Sequence, residues 1–331
     1  MNERQYFRPA STHELSSIRG DAPTHHNAAR LLTMLAKVLI SGSSGPIGKA
    51  TLSRLQKGGY AVTRLVRHAS RQADEIQWDP MRAVDIASVT GFDAVIHLAG
   101  ESIVGRWNDA KKAAIRESRV AGTRNLTEAL AKASAKPRVV VCASAIGYYG
   151  DRGDELLREE AAPGRGFLAE VCEQLEAASL PAVNAGIRVV HLRIGLVLSP
   201  SGGALAAMKT PFKMGVGGRI GSGKQWWSWI DVRDLADAFV FAMENESVRG
   251  PVNAVSPNAV TNAQFTRALG KALSRPAIFP LPAFAARLAL GEMANDLLLA
   301  SERVEPARLV AAKFPFRYPE LAASLRANLE N

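Results

Sequence analysis

The sequence predicts an α/β protein: a doubly wound parallel sheet followed by a smaller, mostly helical C-terminal lobe. Short apolar runs alternate with helical patterns between residues 38 and 194, as they do in βαβ units. A glycine-rich turn joins the first apolar run to the first helix, and residues 262–330 are mostly helical with prolines at the boundaries. We therefore expect an N-terminal extension over residues 1–33, a sheet domain over 34–200 and a lobe over 201–331.

Composition excludes several classes of protein. The 331 residues are 47% hydrophobic and 22% charged, which is a globular composition, and no apolar run is long enough to span a bilayer. The two cysteines, Cys142 and Cys172, are too few for a disulfide scaffold and fit a reducing cytoplasm. The net charge is +10, but lysines and arginines are spread along the chain. We therefore expect no nucleic-acid partner, no membrane partner and, without a cluster at ligand spacing, no metal.

The first 33 residues are polar and show no periodicity. They lack the apolar segment of a secretory signal, and their acidic residues argue against a transit peptide. We expect a flexible extension that the fold does not need.

The glycine-rich turn follows the apolar run at residues 38–40 and opens a helix that continues through Leu55. Gly42 permits a tight turn, Gly45 lets backbone N–H groups approach a phosphate, and Gly48 allows helix and strand to pack closely. Because a helix N-terminus attracts anions, the arrangement is typical of a dinucleotide pyrophosphate site. The turn residues expected to hold the cofactor are Gly42, Ser44, Gly45, Pro46, Ile47 and Gly48.

The second strand is expected at residues 60–66, and Arg67 follows it. An acidic residue at this point would bind the ribose 2′-hydroxyl of NAD, whereas this chain has Arg67, with Arg64 nearby and no acid before Asp74. A guanidinium suits a 2′-phosphate, so the sequence predicts NADP rather than NAD.

Four further strands are expected at residues 75–78, 93–98, 138–144 and 187–194. Helices are expected at 111–134, where apolar residues recur at near-helical spacing, and at 168–178. After the strand at 93–98, the small residues Ala99 and Gly100 leave room for the cofactor at the backbone.

The strand at 138–144 brings polar side chains to the carboxyl edge of the sheet, where open α/β sheets place their chemistry. Ser144 ends the strand, and Tyr148 and Tyr149 follow it. These three residues are the catalytic candidates.

Farther on, three tryptophans at 226, 227 and 229 fit either a pocket lining or a packed core.

Several motifs taken together resemble one family. They are VLISGSSGPIG, HLAGE, SAIGYYG, RIGLVL, GGRIGSGKQWWSWIDVRDLADA and the closing FRYPELAASL. In them the chain is similar to the extended short-chain dehydrogenase/reductase superfamily, and more closely to its atypical epimerase-family group with a small C-terminal helical domain. The resemblance implies a Rossmann fold, NADP(H) and a substrate cleft between sheet and lobe. It carries cofactor contacts onto Gly42, Gly45, Gly48, Arg67, Leu98, Ala99, Arg119 and Leu196.

The chain departs from that superfamily at the catalytic pair. Most members use a tyrosine, with a lysine four residues later, on the helix after the fifth strand, and the tyrosine moves a proton while hydride passes to or from nicotinamide. Alignment from Ser144 puts Phe167 and Val171 at these positions, and neither side chain exchanges a proton. The replacements available nearby are Tyr148 or Tyr149 and, less directly, Glu170.

Two functions remain open from the sequence. One, which the polar, aromatic segment at residues 221–231 favours, is an NADP-dependent oxidoreductase or epimerase that acts on a small polar substrate, either neutral or anionic, through a modified proton relay. The other is a non-catalytic NADP(H)-binding sensor or scaffold, which the missing tyrosine and lysine favour.

Overall fold

A computed structural model describes residues 36–330 of the chain. The predicted extension over residues 1–33 lies outside this range. The strands are β1 Lys37–Ser41, β2 Ala61–Val66, β3 Glu75–Gln77, β4 Ala94–His97, β5 Val139–Ala145, β6 Leu156–Leu157, β7 Arg188–Ile194, β8 Leu196–Leu198, β9 Trp226–Trp227, β10 Trp229–Asp231, β11 Gly250–Ala254, β12 Val260–Thr261 and β13 Arg303–Val304.

The helices between and after these strands are α1 Pro46–Lys57, α2 Asp109–Lys132, α3 Phe167–Ala177, α4 Leu180–Asn184, α5 Gly203–Lys213, α6 Val232–Glu244, α7 Asn262–Ala272, α8 Ala283–Leu290, α9 Glu292–Ala294, α10 Ala307–Ala311 and α11 Leu321–Leu329. Short turns of 3₁₀ helix lie at Ala87–Val89 and Ile146–Tyr149, and a π turn lies at Asn295–Leu299.

The central sheet of the described residues has seven parallel strands in the order β11-β7-β5-β4-β1-β2-β3. The chain winds outward from β1 through β2 and β3, then returns to the other side of β1 with β4. The strand order therefore reverses between β1 and β4, and in open α/β sheets ligands bind at the carboxyl edge beside such a reversal. The predicted doubly wound parallel sheet is confirmed.

Both faces of the sheet are covered, as a parallel sheet requires. Along β1 the side chains alternate: Val38 and Ile40 belong to one buried cluster with α1 and α6, whereas Leu39 belongs to the opposite cluster with α2. The apolar run at 38–40 lacks polar residues because both of its faces are buried.

Helix α2 begins two residues earlier than expected from the apolar periodicity. The Oδ1 atom of Asn108 accepts a hydrogen bond of 2.8 Å from the backbone N–H of Lys111 and caps the helix, and Asp109 occupies the first turn. Capping by a side chain and the helix dipole thus decide this boundary rather than the spacing of apolar residues.

The predicted domain boundary after residue 200 does not follow the sheet. Strand β11 pairs with β7, and α6 packs on the sheet against α1, although both lie beyond residue 200. The Arg188 guanidinium joins them to β7 by donating to the carbonyl oxygens of Ala242, Met243 and Val248 at 2.7–2.8 Å. The central sheet therefore includes β11, which ends at residue 254.

The C-terminal lobe has its own buried cluster, which includes Trp227, Trp229 and Phe265. Trp229 is fully buried, and the Trp227 ring lies edge-on to Phe265 at 5.2 Å between centroids. Trp226 is half-buried and donates from its indole N–H to Asp154 at 2.8 Å. Of the two roles expected for these tryptophans, the structure therefore gives them packing.

Among residues 36–330, no helix has both the length and the apolar character needed to cross a membrane.

Candidate cofactor and substrate site

The glycine turn after β1 is packed too tightly for side chains at two of its three glycines. Gly42 has φ +69°, and a Cβ there would lie 2.6 Å from the carbonyl carbon of Leu98. A Cβ on Gly48 would lie 2.1 Å from the carbonyl oxygen of Gly42. These two glycines hold the turn, α1 and the segment after β4 together.

Gly45 differs from its two neighbours because a Cβ there would meet no atom closer than the Gly42 oxygen at 3.7 Å. Internal packing therefore does not require glycine at this position. Gly45 is also the N-cap of α1, and no side chain caps this helix end, where Pro46 occupies the first turn. The open space and the uncapped N–H groups fit an anionic pyrophosphate.

The segment after β4 lies against the glycine turn. The Ser41 hydroxyl oxygen accepts from the backbone N–H groups of Leu98 at 3.1 Å and Ala99 at 3.3 Å. The segment therefore lies at the reversal point of the sheet, beside the expected pyrophosphate.

Arg119, on helix α2, packs against the segment after β4. Its guanidinium lies against Gly100, where a Cβ would come within 3.1 Å of it, and donates to the Glu101 carbonyl oxygen at 2.8 Å. Burial lowers the pKa of Arg119. The negative charge of Glu101 raises this pKa, but by less than burial lowers it. The family resemblance implies a contact between Arg119 and the cofactor. In this structure Arg119 instead contacts the loop after β4, and this loop would border the cofactor.

Arg67 lies beside an open cavity of about 410 Å³ beyond the ends of β2 and β3. Gln77, Trp78, Asp79 and Pro80 complete the lining of this cavity. Arg67 is exposed, and no residue between 36 and 330 forms an ion pair with it within 4.0 Å. An unpaired guanidinium beside a cavity of this size fits a phosphorylated ribose.

Arg64, the other arginine considered for this role, is already paired. It donates to both carboxylate oxygens of Asp74, at 2.8 and 2.9 Å, and lies 3.2 Å from Glu75. The hydrogen bond from Arg64 lowers the pKa of Asp74. Arg64 thus joins β2 to β3 and leaves the cavity to Arg67.

Leu196, the last of the predicted cofactor residues, lies on β8. Its side chain packs on the buried cluster of the C-terminal lobe, and its backbone N–H donates to the Ser228 carbonyl oxygen at 2.8 Å.

The three catalytic candidates meet around the buried guanidinium of Arg193. Ser144 donates its hydroxyl hydrogen to Glu176 at 2.8 Å, and Glu176 forms an ion pair with Arg193. Tyr149 accepts from Arg193 at 3.0 Å and donates to Asn253 at 2.7 Å. The Tyr148 ring lies under the guanidinium, 3.5 Å from its carbon.

The predicted catalytic residues take part in a network of hydrogen bonds and ring contacts around Arg193. The Tyr149 side chain is fully buried, its hydroxyl is bonded on both sides, and burial raises its pKa despite the nearby Arg193. The Ser144 proton is held by Glu176. A buried hydroxyl group that is already hydrogen-bonded would have to exchange that bond before it could bind a substrate oxygen. Tyr148 is half-buried and its ring stacks on Arg193, whereas its hydroxyl forms no hydrogen bond to residues 36–330.

Replacing Tyr149 with phenylalanine should lower the free energy of unfolding by about 1–3 kcal/mol, because Asn253 and Arg193 would each lose a hydrogen-bond partner in the interior. Urea denaturation of the two proteins measures the loss. Tyr148→Phe is the matched control, and its loss should be smaller because no hydrogen bond of its hydroxyl to residues 36–330 is present. Equal losses would contradict this assignment.

Phe167 and Val171, at the positions of the missing pair, are buried at the start of α3. Phe167 packs edge-on against Trp107 at 5.2 Å between centroids, and Val171 lies in the same cluster. Glu170, the alternative donor on this helix, is exposed and lies 3.1 Å from Arg116. None of the three faces the cavity described next.

A second cavity, of about 190 Å³, lies at the carboxyl edge of the sheet between the segment after β5, the start of α3 and the C-terminal lobe. Glycines and apolar residues form part of its wall, and ionisable side chains from both domains form the rest. Its lining residues are Gly147, Gly150, Asp151, Arg165, Leu168, Ala169, Arg287, Asn295, Asp296, Leu299, Ala300 and Glu302. We refer to it below as the interdomain cavity.

Glu302 is the most unusual group in the interdomain cavity. Its Oε1 atom is closed off from solvent and has no hydrogen-bond partner among the described residues. Burial, with the added charges of Asp296 and Asp151, raises the pKa of Glu302 to about 8. The carboxyl group therefore carries a proton at neutral pH.

Two arginines bring positive charge to the same cavity. Arg165 precedes α3 and Arg287 lies on α8; both are exposed, and neither forms an ion pair within residues 36–330. Arg287 donates to the Asn295 amide oxygen at 2.8 Å, which fixes its direction. The cavity thus combines a protonated acid with cations that could receive an anionic group.

Sequence reasoning missed Glu302, Arg165 and Arg287. They lie far apart along the chain, in segments without a local catalytic motif. The one available signal is the absence of tyrosine and lysine from α3, because an enzyme of this kind would then need a proton donor on another element.

Within the described range, no group of three or more histidine, cysteine, aspartate and glutamate side chains is arranged to hold a metal ion.

Two family models match the chain. One, described as the NAD dependent epimerase/dehydratase family, matches residues 38–254, and the other, described as a domain of unknown function (DUF1731), matches residues 281–327. The first match ends with β11, at the end of the sheet.

Curated relatives resemble the chain over most of its length. An epimerase family protein of Mycobacterium leprae is 41% identical over 292 residues, which cover 88% of this chain and 94% of the relative. The human epimerase family protein SDR39U1 is 35% identical over 295 residues, which cover 88% of this chain and 98% of the human protein.

Solved structures give the same picture. The crystal structure of human SDR39U1 (isoform 2) with NADPH has a TM-score of 0.83 and 34% identity, covering 89% of this chain and 99% of the human one. UDP-glucose 4-epimerase of Thermus thermophilus in complex with NAD has a TM-score of 0.70 at 19% identity, covering 89% and 98%. At that lower identity the likeness shows the fold alone.

Proposed function

The chain belongs to the NAD-dependent epimerase/dehydratase family, and from that membership we propose that it is an NADP(H)-dependent oxidoreductase or epimerase acting on a small, anionic polar substrate. The observation that carries this proposal is the interdomain cavity at the carboxyl edge of the sheet, which combines the half-buried acid Glu302 with unpaired arginines.

The cofactor follows from the first cavity and the glycine turn. The human relative was solved with NADPH, in agreement with the cofactor predicted from Arg67. The open space at Gly45 and the uncapped N-terminus of α1 would receive the pyrophosphate, and Arg67 the 2′-phosphate. NADPH, when bound, supplies a hydride.

The substrate is expected in the interdomain cavity. At about 190 Å³ the cavity suits a small molecule or one end of a larger one. Arg165 and Arg287 would hold a carboxylate or phosphate, and the apolar side chains of Leu168 and Leu299 would exclude water around the reacting carbon.

A non-catalytic NADP(H) sensor remains the second candidate, because Phe167 and Val171 are buried where the superfamily has its proton relay. The two functions differ in one measurement, the oxidation of NADPH in the presence of small aldehydes, ketones and nucleotide sugars. Each compound is offered with and without a carboxylate or phosphate group. Turnover that requires the anionic group supports the proposed enzyme, and NADPH binding without turnover of any compound supports the sensor.

We expect the protein to bind NADPH more tightly than NADH, and Arg67→Asp to abolish this preference. A charge-assisted bond to the 2′-phosphate contributes about 1.5–3 kcal/mol, so the variant should bind NADPH roughly 10–150-fold more weakly, with little change for NADH. Calorimetric titration of both cofactors gives the four affinities.

Arg64→Met is the matched control for this prediction, because Arg64 is paired with Asp74 and does not line the cavity. Its ratio of NADPH to NADH affinity should match that of the wild type. Equal affinities of the wild-type protein for the two cofactors would contradict the role given to Arg67.

A further inference from the structure

We propose that the carboxyl group of Glu302 exchanges the substrate proton in the interdomain cavity, and so performs the task for which this chain lacks a tyrosine. The inference rests on the proposed function, since it concerns the same cavity. It assigns a catalytic residue to the C-terminal lobe rather than to the sheet.

The backbone of Glu302 is fixed on both sides. Its N–H donates to the Trp226 carbonyl oxygen at 3.0 Å, and its carbonyl oxygen accepts from the Ser228 hydroxyl at 2.8 Å. The preceding residue, Ser301, donates its hydroxyl hydrogen to the Gly153 carbonyl oxygen at 2.6 Å. The tryptophan-rich segment therefore supports the position of Glu302 while its own side chains pack in the lobe.

The carboxyl group contrasts with this well-bonded backbone. Buried polar atoms in proteins are nearly always hydrogen-bonded, yet Oε1 of Glu302 has no partner within residues 36–330. Glu302 lines the cavity, and because Oε1 is closed off from solvent, a substrate would meet the carboxyl group through its other oxygen. A substrate oxygen in the cavity would form a hydrogen bond with that oxygen.

The charges that face Glu302 come from every element around the cavity. Asp296 on the π turn and Asp151 after β5 disfavour its ionised form. Arg165 before α3 and Arg287 on α8 line the same cavity and are exposed. The Cys172 thiol on α3 also lies within electrostatic range, and burial raises its own pKa to about 12, so it remains neutral. The net effect is a protonated Glu302 at neutral pH.

The chemical step balances with NADPH as the reductant. The hydride forms a C–H bond at a substrate carbonyl carbon while the C=O double bond becomes a single bond. The Glu302 O–H bond breaks, its proton passes to the carbonyl oxygen, and the products are an alcohol, NADP⁺ and the Glu302 carboxylate. Solvent then returns a proton to the carboxylate. In the reverse direction the carboxylate accepts the alcohol proton.

The first test does not depend on activity. The pKa of Glu302 is raised from 4.5 to about 8 in the folded protein, so folding retains a proton that the unfolded chain releases. The stabilisation is complete below the unfolded-state pKa and is lost as the pH rises through the folded-state pKa. Between about pH 5 and pH 9, the melting temperature of the wild type should fall by several degrees relative to that of Glu302→Gln.

A difference in melting temperature that is independent of pH would overturn the inference, because Glu302 would then ionise as an ordinary carboxyl group. The substitution preserves shape and removes the titration. It therefore tests the proton and not the packing of the side chain.

The second test uses NADPH oxidation with the anionic carbonyl compounds described above. Glu302→Gln should reduce turnover roughly 10²–10⁴-fold and leave the calorimetric affinity for NADPH unchanged. Wild-type reduction should also decline above about pH 8, where the proton is lost. The matched control is Glu170→Gln, which removes an exposed carboxylate outside the cavity and should keep wild-type activity.

The two proposals fail in different ways. Full activity in Glu302→Gln, with an active wild type, contradicts the role of Glu302 and leaves the proposed reaction intact. A wild type that binds NADPH and reduces none of the compounds contradicts the reaction. In that case the pH dependence of the melting temperature alone supports or overturns the assignment of the proton to Glu302.

Discussion

Replacing Arg193 with methionine should lower the free energy of unfolding by about 3–5 kcal/mol, because it leaves the Glu176 carboxylate largely buried and without its cation. The Arg193 side chain is 3% exposed and donates twice to Glu176, at 2.8 and 2.9 Å. Burial alone lowers the pKa of Arg193, but the hydrogen bonds and charge of Glu176 raise it well above its ordinary value. Urea denaturation measures the loss.

Comparison with an exposed ion pair separates the effect of burial on the free energy of unfolding from the effect of losing an ion pair. Arg116 pairs with Glu170 at 3.1 Å, and their side chains are 42% and 60% exposed. Arg116→Met should cost less than about 1 kcal/mol, because solvent already screens this pair. In the buried pair, Glu176→Leu added to Arg193→Met should restore part of the loss, since the uncompensated charge is then removed. Similar losses at the two arginines would contradict this account.

Alanine at Gly48 should eliminate detectable NADPH binding and destabilise the fold by at least about 3 kcal/mol. The added Cβ would lie 2.1 Å from the Gly42 carbonyl oxygen and 2.7 Å from the Ser43 Cα, and backbone atoms at these distances cannot move aside without displacing the turn. Thermal unfolding and calorimetric titration with NADPH measure the two effects.

Gly45→Ala separates an effect on the packing of the turn from an effect on NADPH binding. A Cβ on Gly45 meets no protein atom within 3.7 Å, so the melting temperature should stay near that of the wild type. Affinity for NADPH should still fall, because the methyl group would occupy the space expected for the pyrophosphate, and each charge-assisted bond lost costs about 1.5–3 kcal/mol. Unchanged affinity in Gly45→Ala would place the pyrophosphate elsewhere.

The sequence predicts the sheet well because its signals are local. The apolar run at 38–40, the glycine spacing of the turn and the alternation of strands and helices act within one βαβ unit, and the expected strands agree with the structure to within one or two residues. Helix α2 is also found, with a shift at its start caused by the cap at Asn108.

The features that the sequence does not reveal depend on contacts between distant residues. Strand β11 is five residues long and includes Pro251, so no periodicity distinguishes it from a loop. Its place in the sheet is decided by pairing with β7. The interdomain cavity likewise joins Glu302 to residues near 150 and 165, and no local pattern connects them.

The candidate site shows the same limit within a single motif. Ser144, Tyr148 and Tyr149 lie close together, as their spacing predicts. The hydroxyl groups of Tyr149 and Ser144 belong to a network around Arg193 on β7. Arg193 donates to the Tyr149 hydroxyl, and Ser144 donates to Glu176, the ion-pair partner of Arg193. Residue spacing therefore indicates neighbours, whereas burial and hydrogen bonding decide which neighbours can meet a substrate.

Strand β11 is synthesised well after its partner β7, and this order has a consequence for the chain as it leaves the ribosome. Strand β7 is complete at Ile194, but its outer edge stays open until residues 250–254 are synthesised and pair with Val190–Ile194. At 5–20 residues per second, this interval lasts about 3–12 s. During that time an apolar strand edge is available to other nascent chains, which raises the risk of aggregation.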